Sequence, residues 1–138
     1  MADVAHVAGI IPPAAAALMA HFWPGPLTLI VPRRPELPAN LSPDDTIAVR
    51  VPDHALARAL IRAAGGAVAA TSANVSGQPP ARAADEALAV LGGRVAAVLD
   101  DGPSPGGMAS TVVDCTVDPP VVRRAGPLTA ADLGLEVS

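Results

Sequence analysis

The fold is decided around one stretch, Phe22-Trp23-Pro24-Gly25-Pro26-Leu27-Thr28-Leu29-Ile30-Val31. Two prolines flanking a glycine stop a preceding helix and force a turn. The apolar run from Leu27 to Val31 then predicts a strand. Upstream, Pro12-Pro13 suits the first turn of a helix that continues to His21. The stretch therefore predicts a helix, a tight turn and a strand in direct succession.

Outward from this stretch, the pattern predicts more strands and helices. The predicted strands are 46–51, 67–70, 95–99, 110–115 and 121–123, and the predicted helices are 53–64, 82–91 and a short one from Thr129. Strands and helices alternate between 46 and 99, which favours an α/β sheet with helices packed on it. Ligands of such sheets bind at the carboxyl ends of strands. The loops after 70, after 99 and near 110 are therefore candidate sites.

Composition limits the kinds of site that the chain can build. It has 138 residues, a net charge of −4, a single cysteine, one Phe, one Trp and no Tyr. All nine basic residues are arginines, so a phosphate site must use guanidinium groups, hydroxyls and backbone N–H groups. The acidic balance and the lack of aromatics argue against nonspecific RNA binding. Cys115 alone supports neither a disulfide framework nor a cysteine metal site.

No apolar run reaches the ~18 residues expected of a membrane span. The amino terminus has Asp3 and no basic residue before Arg33, which does not fit a signal peptide. We therefore expect a cytoplasmic chain without a membrane partner, of undetermined oligomeric state.

Two features could carry chemistry, each with an ordinary alternative. The loop from Thr71 to Gly77 holds three hydroxyls and an amide; it could cradle phosphate, or be a hydrogen-bonded turn. Arg50 lies in an otherwise apolar strand, where it needs a partner or a cavity, or else lies in an edge strand facing water. The alternation of a strand puts it on one face with Thr46 and Ala48.

Two more features are less specific. The loop from Asp100 to Gly107 could bring carboxylates to Mg²⁺, with Gly106-Gly107 permitting close backbone approach, or be a simple turn. Arg123 and Arg124 follow an apolar strand, so one could face a pocket while the other faces solvent. Nothing resembles a nucleophile elbow or a histidine metal site, so no catalytic side chain and no metal ligand is predicted.

Taken together, the motifs resemble the YrdC-like threonylcarbamoyl-AMP synthase family. The matching motifs are Phe22 to Thr28, Thr46 to Pro52, Thr71 to Gly77, Ser110 to Asp114 and Arg124 to Gly126, in the family's order. The resemblance implies a twisted mixed α/β sheet around a concave cavity, one domain over residues 1–138. It also implies synthesis of threonylcarbamoyl-AMP and pyrophosphate from L-threonine, bicarbonate and ATP, with Mg²⁺ expected. The product serves tRNA modification, so tRNA and threonylcarbamoyl-transfer proteins are the implied downstream partners.

The resemblance also implies roles for individual residues. Arg50, Ser110 and the backbone around Ala70 would bind threonine. Residues that would contact ATP are Thr46, Ser72, Asn74, the backbone near Pro80, and Arg124. Two alternatives stay open: a noncatalytic tRNA- or nucleotide-binding module of the same fold, and a fragment of a hydrogenase-maturation carbamoyltransferase.

Family members carry a further amino-terminal segment with a Lys-x-Arg motif, and this sequence has no lysine. Either the recorded sequence starts at an internal Met, or a partner supplies the segment, or the chain is degenerate. We expect exposed apolar surface, and negligible threonine- and bicarbonate-dependent pyrophosphate release from ATP by residues 1–138 alone. Robust turnover by the purified chain would refute this.

Overall fold

A computed structural model gives the fold, and the structure describes residues 2–104 and 108–135. The chain comprises two compact units, a first unit of residues 1–68 and 108–138 and a second unit of residues 69–107. The prediction of one domain over residues 1–138 is not tested by this division and stays a prediction.

The first unit contains a four-stranded mixed sheet. Its strands are β1 (Leu27–Pro32), β2 (Thr46–Val49), β3 (Thr111–Asp114) and β4 (Val121–Arg124). The order across the sheet is β2-β1-β3-β4. β1 runs parallel to β3, while β2 and β4 are antiparallel to their neighbours. A mixed sheet accompanied by helices confirms the predicted α/β class.

Helix α1 (Pro13–Phe22) packs its apolar side on one face of this sheet. Pro13 occupies the first helical turn, where a missing N–H costs nothing. Met19 and Leu18 are buried with Leu27, Leu29 and Val31 of β1, and they form part of the core of the unit. The helix ends at the predicted turn, where the Trp23 indole Nε1 donates to the Leu27 carbonyl at 2.7 Å.

Alternation along β1 separates the two faces of the sheet. Leu27, Leu29 and Val31 are fully buried, whereas Thr28 and Ile30 between them are half-buried. Thr28 lies opposite Val112, and Val112 opposite Arg124. Since directly paired residues share a face, these three residues and the side chain of Ser110, two positions before Val112, belong to the face opposite the core.

The remaining α-helices are α2 (Ala55–Ala63) in the first unit and α3 (Ala84–Leu91) in the second, and two short 3₁₀ helices are Ala2–His6 and Ala39–Leu41. Neither α2 nor α3 has a buried residue, and Leu60 and Leu88 are about half exposed, at 49% and 52%. The expectation of exposed apolar surface is therefore confirmed. None of the described helices is long and apolar enough to cross a membrane.

Three predicted elements are wrong. Residues 67–70 and 95–99 form no strand, and the segment from Thr129 forms turns rather than a helix. Neither apolar run pairs with any described strand, and Val68, Val95 and Leu99 are exposed. A strand needs a ladder partner as well as an apolar run, and Ala is a weak strand former. At the carboxyl end, Thr129 and Asp132 cap a turn reciprocally.

Asp114 at the end of β3 makes stability depend on pH. Burial alone would raise the pKa of this carboxyl, but hydrogen bonds from Thr116 and the paired Arg123 outweigh it and lower the pKa below 3.8. A lowered native pKa adds stability that is fully present above the unfolded pKa and is lost as pH falls through the native pKa. Asp114→Asn should therefore be less stable than the parent at pH 7 and should lose less stability between pH 5 and pH 2. Urea denaturation at several pH values measures both.

The matched control is Asp118→Asn, which changes an exposed carboxyl on the same connection. It should keep the parent's acid sensitivity. Parallel pH profiles for Asp114→Asn and the parent would contradict the assignment.

Candidate functional site

The turn after α1 holds the Arg50 side chain and the backbone of β3 through its carbonyl groups. The Gly25 carbonyl accepts a hydrogen bond from Arg50 Nε at 2.9 Å, and the Gly25 N–H donates to the Val51 carbonyl at 2.9 Å. The Pro26 carbonyl accepts from the Thr111 N–H, also at 2.9 Å. The turn is therefore bonded both to the end of β2 and to the start of β3.

Arg50 lies one residue beyond β2 and is exposed overall, although its hydrogen bond to Gly25 is partly buried. Burial lowers the pKa of Arg50, and the positive charge of Arg124 lowers it further. Its Nε is held by Gly25, while its two terminal nitrogens bond to no other described residue. No carboxylate of the described residues pairs with it. Arg50 is thus a fixed cation with unused donors beside a second cation.

Arg50 belongs to a polar cluster whose other members are Ser110 and Arg124. Arg124 Nε and Nη2 donate to the Ser110 carbonyl at 3.1 and 3.0 Å, and Nη2 also reaches Ser110 Oγ at 3.2 Å. Ser110 is buried, and its hydroxyl lies 2.7 Å from the Thr28 hydroxyl. Arg50, Ser110 and Arg124 are therefore brought together in the first unit.

The two neighbouring arginines of β4 diverge, as the sequence indicated. Arg123 pairs with Asp114 at 2.7 Å, whereas Arg124 turns to Ser110. The register between β3 and β4 shifts between Val112 and Val113, which leaves Arg123 as an extra residue in β4. Such a bulge redirects side chains. It gives one arginine an acidic partner and leaves the other for the cluster.

The cluster lies at an edge of the sheet where carboxyl ends and amino ends of strands meet. Arg50 and Arg124 are at the carboxyl ends of β2 and β4, but Thr28 and Ser110 are at the amino ends of β1 and β3. The general rule of carboxyl ends applies to strands that all run one way. In this mixed sheet, one edge contains both kinds of strand end.

Thr46 is not brought to the cluster. It starts β2 opposite Pro32, at the far end of the strand from Arg50. Its hydroxyl and N–H both donate to Asp44 Oδ1, at 2.6 and 2.9 Å, and these hydrogen bonds lower the pKa of Asp44. The hydroxyl proton of Thr46 is therefore already donated to Asp44. Toward a ligand, the Thr46 hydroxyl can act only as a hydrogen-bond acceptor.

The other predicted residues belong to the second unit. Ala70, Ser72 and Pro80 are exposed on irregular backbone. The segment from 72 to 78 is a turn, with Asn74 N–H bonded to the Ser72 carbonyl at 3.1 Å and Asn74 Nδ2 to the Val75 carbonyl at 2.9 Å. Asn74 Oδ1 is buried and lacks a partner. This orphan acceptor is suited to a ligand donor.

The loop after 99 has the turn character that was the alternative to a magnesium site. Asp100 Oδ1 accepts from the Gly102 N–H at 3.0 Å; Gly106 and Gly107 lie outside the described residues. Within 2–104 and 108–135, no three His, Cys, Asp or Glu side chains converge as a metal site. No step below is routed through a metal ion held by the protein.

Sequence reasoning gave Thr28 no role, although it is in contact with Ser110. The available signal was the one used for Arg50, a polar side chain in an apolar strand. The role of the Gly25 carbonyl had no signal in the sequence, because a backbone acceptor looks the same in every residue.

Known proteins resemble this chain along most of its length. A family model named for Sua5, YciO and YrdC and described as telomere recombination matches residues 1–126. Threonylcarbamoyl-AMP synthase of Bacillus subtilis is 43% identical over 134 residues, covering 94% of this chain and 39% of that protein. The putative threonylcarbamoyl-AMP synthase of Mycobacterium tuberculosis is 42% identical over 120 residues, covering 86% and 55%. The chain thus spans 39% and 55% of these two relatives.

Solved structures give the same result. The crystal structure of Pyrococcus abyssi Sua5 complexed with L-threonine superposes with a TM-score of 0.91 at 36% identity, over 96% of this chain and 39% of that one. E. coli YciO gives a TM-score of 0.76 at 28% identity, over 96% and 65%.

Gly126 fixes the approach of the segment after β4 to Ser110. A Cβ at this position would collide with Thr111 N and would lie 2.6 Å from the Ala109 carbonyl oxygen. Since backbone atoms cannot rotate away, Gly126→Ala should cost about 1–3 kcal/mol of unfolding free energy. Thermal and urea denaturation check this, with exposed Ala125→Ser as the control. Unchanged stability of Gly126→Ala would contradict the packing.

Proposed function

The chain belongs to the Sua5/YciO/YrdC family, and on this basis we propose that it forms the substrate-binding part of a threonylcarbamoyl-AMP synthase. The proposed reaction converts L-threonine, bicarbonate and ATP to threonylcarbamoyl-AMP, pyrophosphate and water. Relatives named for this activity and a relative solved with L-threonine support the proposal. The product would then serve tRNA modification with other proteins, in the cytoplasm.

One observation carries the proposal: two guanidinium groups and a buried hydroxyl converge with no carboxylate among the described residues to neutralise them. Like charges at close range repel. A bound anion removes the repulsion and uses the free donors of Arg50. The cluster is therefore built for an anionic ligand.

L-Threonine supplies a suitable anion in its carboxylate. The fork of Arg50 can donate two parallel hydrogen bonds to a carboxylate, and Gly25 occupies the Nε–H, which leaves the two terminal nitrogens available for that fork. Ser110 adds a hydroxyl on the same sheet face. The backbone around Ala70 is a further proposed contact of L-threonine.

ATP is proposed to contact Arg124, Thr46, Ser72, Asn74 and the backbone near Pro80. Arg124, which is proposed to bind ATP, is hydrogen-bonded to Ser110, which is proposed to bind L-threonine. The two substrates would therefore lie next to each other, as a reaction between them requires. Thr46 lies about 13 Å from Arg50 along β2, taking about 3.3 Å per residue. An extended nucleotide can span that distance, with its phosphates near Arg124 and an amino or hydroxyl donor facing Thr46.

The chemistry requires positioning more than a reactive side chain. Threonine and bicarbonate form a carbamate, whose oxygen attacks the α-phosphorus of ATP while pyrophosphate leaves. No protein nucleophile takes part, so the contribution of the chain is alignment of the substrates and stabilisation of negative charge. Arg50 and Arg124 supply that positive charge. Magnesium, when bound to the triphosphate, would neutralise the leaving pyrophosphate.

Arg50→Gln tests the threonine assignment. It removes the fork and the charge, so L-threonine affinity should fall about tenfold to a hundredfold, the range of charged hydrogen bonds. Isothermal titration calorimetry of the chain with L-threonine measures this. ATP affinity should change less, because Arg124 is intact.

Arg62→Gln is the matched control, since Arg62 is an exposed arginine on α2. It should bind L-threonine like the parent. Undiminished binding by Arg50→Gln, with circular dichroism showing an intact fold, would overturn the assignment. Absence of any L-threonine binding by the parent would overturn the proposed function.

A further inference from the structure

Thr28 and Ser110 form a pair of hydroxyls whose order of donation determines what Ser110 can bind. They are 82 positions apart in sequence, and their oxygens are 2.7 Å apart. Thr28 belongs to β1, on the face opposite the core, and Ser110 directly precedes β3. Ser110 is only 7% exposed. Its few hydrogen-bonding directions can therefore be counted.

A hydroxyl has one proton to donate and two lone pairs to accept with. One lone pair of Ser110 accepts from Arg124 Nη2 at 3.2 Å, because a guanidinium can only donate. The Thr28–Ser110 bond uses one of the two hydroxyl protons. If Ser110 donates, its proton is spent on Thr28. If Thr28 donates, both lone pairs of Ser110 are occupied and its own proton is directed elsewhere.

We propose that Thr28 is a positioning residue that donates to Ser110 and thereby makes the Ser110 hydroxyl a donor to an anionic ligand oxygen. This inference rests on the proposed function and deepens it. A ligand ammonium could not use Ser110 in this arrangement, because both of its lone pairs are engaged. The carboxylate of L-threonine, and not its amino group, therefore contacts Ser110.

The charges of the cluster favour the same order. Arg50 and Arg124 attract an oxygen anion to this end of the sheet and repel an ammonium. An anion next to Ser110 stabilises the arrangement in which the Ser110 proton points towards it. Thr28 does not touch the ligand, and its effect passes entirely through Ser110.

A purely structural role for Thr28 predicts different results. β1 and β3 are already joined by a parallel backbone ladder and by the bond from Thr111 N–H to the Pro26 carbonyl. If Thr28 only helped to hold β1 and β3 together, its loss would lower the stability of the fold and would weaken the binding of all ligands alike. The proposal instead predicts a selective loss for L-threonine that requires Ser110.

The experiment measures L-threonine and ATP binding by calorimetry on the full chain and on Thr28→Val, Thr28→Ser, Ser110→Ala and the Thr28→Val/Ser110→Ala double variant. Thr28→Val keeps the shape but removes the hydroxyl, and should weaken L-threonine about tenfold. Thr28→Ser keeps the hydroxyl donor. Its affinity for L-threonine should therefore lie within about threefold of the parent's. In the Ser110→Ala background, Thr28→Val should have no further effect. ATP binding should be unchanged by Thr28→Val.

The outcomes separate this inference from the proposed function. If the parent binds L-threonine and Thr28→Val binds it equally well, the inference is wrong and the proposed function stands. Additive losses in the double variant, or failure of Thr28→Ser to restore binding, would also overturn it. If the parent binds no L-threonine, both fail. Should Thr28→Val not fold, Thr28→Ala replaces it with the same expected loss and the same rescue by Thr28→Ser.

Discussion

The site depends on two carbonyl groups in the turn from Trp23 to Pro26. Pro24 and Pro26 have no N–H, so this turn is rich in acceptors, and the Gly25 and Pro26 carbonyls take hydrogen bonds from Arg50 and Thr111. These bonds tie the ends of α1, β2 and β3 to one point. The pairing directions within the sheet then bring Arg124 of β4 to the same edge.

The resulting cluster places two like charges near each other. Arg124 lies close enough to disfavour the charge of Arg50. Within the described part of the chain, four other arginines each form an ion pair with a carboxylate: Arg33, Arg34, Arg58 and Arg123. The β4 bulge assigns the nearby carboxylate of Asp114 to Arg123. Local violations of stabilising rules are typical of functional sites. A bound anion between the arginines gives this violation a physical reason.

Part of this could be predicted from sequence. The Pro-Gly-Pro turn and the alternation of β1 gave α1, the turn and the central strand, and a charge in the apolar run of β2 identified Arg50. The predictions of strands at 67–70 and 95–99 were wrong because an apolar run does not reveal whether a neighbouring strand is present to pair with it. Sequence alternation separates Arg123 from Arg124 but cannot show which of them meets Asp114, since that follows from the bulge. The hydrogen bond between Thr28 and Ser110 could not be predicted, because it joins residues that are 82 positions apart in the sequence.

Because all nine basic residues are arginines, the guanidinium Nε–H resonances give a direct view of the cluster. In ¹⁵N–¹H spectra recorded during titration with L-threonine, the signals of Arg50 and Arg124 should shift saturably, while those of Arg58 and Arg62 on α2 stay in place. Saturable threonine binding that leaves the Arg50 and Arg124 signals unmoved would contradict the account.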